Sequence, residues 1–67
     1  MNLKIEVERE VDGRWIAEFM ELPGCMAYGK TQAHALAKAK ALALRVLADR
    51  LEQGEPVPVG DELFSIA

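Results

Sequence analysis

With one cysteine and one histidine in 67 residues, the chain has no second thiol for an internal disulfide and too few soft ligands for a structural zinc site. No run approaches the ~18 apolar residues of a membrane span, and no basic segment followed by an apolar run marks a signal peptide at the start. Positive charge is also short. Eight Lys and Arg face eleven Asp and Glu, giving a net charge of −3 and a pI near 5.0, which argues against a general phosphate-binding surface. These absences predict a soluble, cytoplasmic protein with a basic protein as its partner.

What is present is apolar. A hydrophobic content of 51% is well above that of disordered chains. At this length, residues 1–67 form one small domain, which buries only about 60% of the surface of its unfolded chain. Such a core is marginal alone and predicts self-association.

From Asn2 to Arg9, Leu3, Ile5 and Val7 alternate with Lys4, Glu6 and Glu8, the period of a half-buried strand. Asp12-Gly13 then gives a hairpin signal. In the second strand Trp15, Ala17 and Phe19 alternate with Ile16, Glu18 and Met20. Parity fixes the loop. A two-residue loop at Asp12-Gly13 sets Val7 opposite Glu18. A three-residue loop with Gly13 in the left-handed conformation sets Val7 opposite Ala17 and Ile5 opposite Phe19, so the apolar residues share a face. Glu6 then stands opposite Glu18 on the outer face, a like-charge pair that costs a few tenths of a kcal/mol.

Leu22-Pro23-Gly24-Cys25 reads as a tight structural turn, because Pro23 presets φ and Gly24 tolerates φ > 0. A short strand from Cys25 to about Tyr28 follows, and Gly29 and Lys30 end it. Thr31 is a good N-cap for a helix over 32–52, which is rich in Ala and Leu and stops at Gly54, ahead of Pro56 and Pro58. On a helical wheel Leu36, Ala43 and Leu47 centre the apolar face, with Ala39, Val46, Leu44 and Leu51 beside them. His34, Lys38, Arg45, Asp49 and Glu52 form the polar stripe. Leu42 and Ala48 widen the apolar sector beyond the ~100° that one sheet covers; either alanine serves there simply as a helix former, or that flank meets a second subunit, with Leu42 and Val46 as the expected oligomer contact. Beyond lie a proline-stiffened arm at 55–59 and a short closing strand around Leu63-Phe64-Ser65-Ile66. The expected architecture is α+β: a three-stranded antiparallel sheet, one long helix on one face and a short final strand, in the order β-β-β-α-β.

The Leu-Pro-Gly-Cys turn, the Asp-Gly hairpin before it, and Gly29-Lys30-Thr31 followed by an Ala/Leu helix resemble the HicB-like antitoxin family over nearly the whole chain. Met20 replaces a proline usual in the family, and Ala33-His34 replace acidic residues. The resemblance implies a partial RNase H-like fold that binds a small basic ribonuclease toxin of the HicA type and masks its active site. Many members add a DNA-binding segment. None is expected here, since the sequence stops at Ala67.

Residue chemistry gives little support to catalysis. His34 has no Ser, Cys or second His at triad or ligand spacing, and Cys25 lacks an obvious base. Glu6, Glu8 and Glu18 are the carboxylates that a metal site would use, yet Asp12, Asp49 and Asp61 lie on other elements. The expectation is therefore no enzyme, no cofactor and no metal. Ile16, Met20, Met26 and Tyr28 share the sheet face opposite Trp15 and Phe19, and such exposed apolar residues mark a contact surface. Partner binding is thus assigned to Glu6, Glu8, Ile16, Glu18, Met20 and Tyr28. The alternative reading is an orphan homo-oligomeric scaffold or regulator without a toxin.

Overall fold

The computed structural model describes residues 3–55 and 64–66; all but Glu55 of the arm expected at 55–59, together with Asp61 and Leu63, lie outside the described residues. The strands are β1 (Leu3–Arg9), β2 (Trp15–Phe19), β3 (Met26–Gly29) and β4 (Phe64–Ile66), with α1 (Gln32–Glu52) between the last two. The sheet has the order β3-β2-β1-β4. The first three strands form an antiparallel meander, and β4 returns parallel to β1 at its outer edge. The architecture is α+β, a single helix laid on one sheet face.

Register follows from the hydrophobic pattern. Ile5 pairs with Phe19 and Val7 with Ala17, as the three-residue loop requires, and Glu6 faces Glu18. Glu10 N–H donates to the Arg14 carbonyl at 2.7 Å, so the loop is residues 11–13, with Gly13 at φ 92°. At the second turn the Cys25 N–H closes on the Leu22 carbonyl at 2.9 Å, and Gly24 takes φ 84°. Both glycines occupy backbone conformations that a side chain resists. The third strand begins one residue later than the sequence indicates, because the Cys25 N–H is engaged in the turn while its carbonyl accepts from Phe19 N–H at 3.1 Å.

Thr31 caps the helix, its hydroxyl accepting from His34 N–H at 3.0 Å. At the other end Gly54, at φ 81°, lets the chain leave. The core joins Leu3, Ile5, Ala17 and Phe19 from the sheet to Ala35, Ala39, Ala43 and Leu47 from the helix, with Leu22 and Cys25 closing one end.

The helix face corrects the wheel. Ala35, Ala39, Ala43 and Leu47 form the buried row, whereas Leu36 is only half-buried and Leu44 and Leu51 are 50% and 62% exposed. The cause lies at Gly29, where an added Cβ would collide with the Ala35 amide nitrogen. Strand and helix backbones touch there, so small side chains face the sheet at that end of the row, and Leu36, Leu44 and Leu51 are turned to the flanks. A wheel of the helix alone does not contain this contact between elements.

Candidate functional site

The helix covers the inner face of β2 and β3, which leaves the outer face of the meander open to solvent. The pairing lays the outer residues out in rows. Glu8, Ile16 and Tyr28 form one row, and Glu6, Glu18 and Met26 the next. Met20 N–H donates to the Lys4 carbonyl at 3.3 Å, which sets Met20 beside Lys4 in a third row. Arg14 and Glu10 are paired in a fourth, next to the hairpin loop. Every residue assigned to partner binding from the sequence, namely Glu6, Glu8, Ile16, Glu18, Met20 and Tyr28, therefore belongs to this one face.

Its electrostatics are lopsided. Glu6, Glu8 and Glu18 are exposed and have no ion-pair partner among the described residues. The facing pair Glu6 and Glu18 is eased by geometry. Hydrogen bonds at the Lys4–Met20 and Glu10–Arg14 pairs make Glu6–Glu18 a hydrogen-bonded pair too, the wider of the two antiparallel spacings at about 5.5 Å between Cα atoms. Arg14 is already engaged: its Nε lies 2.7 Å from Asp12 Oδ2, and its guanidinium stacks 4.5 Å above the Tyr28 ring. The Arg14 backbone N–H also donates to Asp12 Oδ1, the leading cause of an Asp12 carboxyl held below its usual range. Lys4 is the only other cation in these rows.

Apolar groups interleave with the acids. Met20 is 56% exposed, and Met26 and Tyr28 are each somewhat over one-third exposed, while Ile16 is half-buried between Glu8 and Tyr28. Arg14 and Glu10 also belong to this face, although the strand alternation alone does not reach them. Extending the hairpin parity by one more pair would have placed both on this face, Arg14 diagonal to Tyr28.

Other candidate chemistry is dispersed. Among the described residues no three His, Cys, Asp or Glu side chains converge as a metal ion needs, and no helix is long and apolar enough to cross a membrane. His34 is exposed at the helix start. Cys25 is buried, and desolvation raises its thiol above the ordinary range, the opposite of what activates a nucleophile. Leu42 and Val46, assigned to an oligomer contact, are half-buried; they line a hollow against Leu22, Pro23, Gly24 and Cys25. No family model matches the chain, and neither a curated protein nor a solved structure is significantly similar to it.

Proposed function

We propose that this chain is an antitoxin-like binding module that neutralises a small basic ribonuclease of the HicA type by covering its active site with the outer face of the β1-β2-β3 meander. The observation that carries the reading is the composition of that face. Glu6, Glu8 and Glu18, three carboxylates without an ion pair among the described residues, alternate with Ile16, Met20 and Tyr28 on the sheet face away from α1. A Lys- and Arg-rich partner relieves the carboxylates' mutual repulsion, and the interleaved apolar groups supply the burial that charge alone does not. Tyr28 is suited to the centre of such a contact, since aromatic residues carry a large share of interface energy.

In this role the chain performs no chemistry and inhibits by occlusion. Titrating it into a HicA-type ribonuclease acting on RNA should therefore abolish cleavage near one equivalent, with no effect of chelators on inhibition. Undiminished cleavage at several equivalents would refute the reading.

A further inference from the structure

We propose that the chain carries a second docking site, distinct from the acidic face: the groove between β3 and α1, which receives an extended, carboxylate-bearing segment of another protein as a new edge strand on β3. Among the described residues the strand has a neighbour on one side only, since β3 ends the sheet. Hydrogen bonding of Phe19 with Cys25 makes the alternate pairs Ala17–Ala27 and Trp15–Gly29 the bonded ones. The N–H and C=O groups of Met26 and Tyr28 are thereby turned away from β2 and stand open for an incoming strand.

Behind that edge lies a groove of about 330 Å³ lined by Ala27, Lys38, Ala41, Leu42 and Arg45. It continues past Leu42 into a hollow of about 180 Å³ that reaches Val46 and Arg50 beside the Pro23-Gly24 turn. The floor is apolar, and among the described residues no carboxylate lines either part. Lys38, Arg45 and Arg50 have no ion pair among the described residues, where the single salt bridge joins Arg14 to Asp12.

Spacing selects the occupant. Lys38 and Arg45 are about 10 Å apart along the helix, and strand residues four apart span about 13 Å on one face. An incoming strand of the form acidic-x-apolar-x-acidic therefore brings its carboxylates to the two cations while its central side chain fills the groove over Ala27 and Leu42. A second copy of this chain fits poorly. Pairing β3 with β3 would offer only Cys25, Ala27 and Gly29 to the groove, too small to fill it, and would bring a second set of Lys38 and Arg45 against the first.

The test uses a fluorescein-labelled peptide, acetyl-Thr-Glu-Thr-Val-Thr-Glu-Thr-amide, read by fluorescence anisotropy at low salt, with a Lys-for-Glu peptide as control. The acidic peptide should bind saturably and the basic one should not. The Lys38→Glu/Arg45→Glu variant, with helical circular dichroism retained, should weaken binding about tenfold, whereas Glu6→Lys/Glu18→Lys should not weaken it. Amide exchange at Met26 and Tyr28 should slow in the complex. Absence of saturation, equal binding of the basic peptide, an undiminished double variant, or unchanged exchange at Met26 and Tyr28 would each overturn the proposal. So would a dimer in sedimentation that Leu42→Glu converts to monomer, because a second copy would then own the groove.

Discussion

Gly29 and Gly24 are the same residue type under two different constraints. At Gly29 the obstacle is steric, the Ala35 backbone standing where a Cβ would go, while at Gly24 nothing lies within 4 Å and only the positive φ resists a side chain. Gly29→Ala should therefore cost roughly 1–3 kcal/mol in urea unfolding through overpacking, with helix and strand forced apart. Gly24→Val should cost about 1 kcal/mol from backbone strain, and Gly24→Asn, which tolerates the left-handed region, clearly less. Equal losses for Val and Asn would contradict the turn geometry. Cys25 offers a pH test. Burial raises its pKa above the ordinary 9.0, so the folded state favours the thiol. That contribution is fully present below the unfolded pKa and disappears as pH rises through the folded one. The thermal midpoint should fall above pH ~9 more steeply in the wild type than in Cys25→Ala, the comparison cancelling Tyr and Lys titration.

Among the elements, the hairpin was the most legible. Alternation in β1 and β2, together with the cost of a one-residue slip, was enough to pair Ile5 with Phe19 and to choose the loop, and the structure has that register. The open face followed from the same alternation, so Glu6, Glu8, Ile16, Glu18, Met20 and Tyr28 come together as the sequence implied. The orientation of α1 was not legible. Its buried row is set by backbone contact at Gly29 between elements, which a wheel of one element cannot contain. The resulting rule can be tested in the helix itself. Ala39→Leu should destabilise by roughly 1–3 kcal/mol because the row faces the sheet at close approach, whereas Leu51→Ala, at 62% exposure, should change stability by no more than about 0.5 kcal/mol. Comparable losses for the two would restore the leucine-centred face.

At the scale of the whole molecule, charge is sorted by surface even though the net value is only −3. Among the described residues, carboxylates without an ion pair lie on the outer face of the meander, and cations without one line the groove between α1 and β3. Among the described residues one helix covers one side of the sheet, and the other side mixes exposed carboxylates with Met20, Met26 and Tyr28. The central claim is that this acidic and apolar face meets a basic protein, and association kinetics test it most directly. Stopped-flow mixing with a HicA-type toxin should show fast association that slows as salt is raised, and Glu6→Lys/Glu18→Lys should slow it about tenfold or more at low salt while leaving the fold intact. At high salt the two proteins should converge, because the steering field is then screened. A double variant that associates as fast as the wild type at low salt would contradict the account.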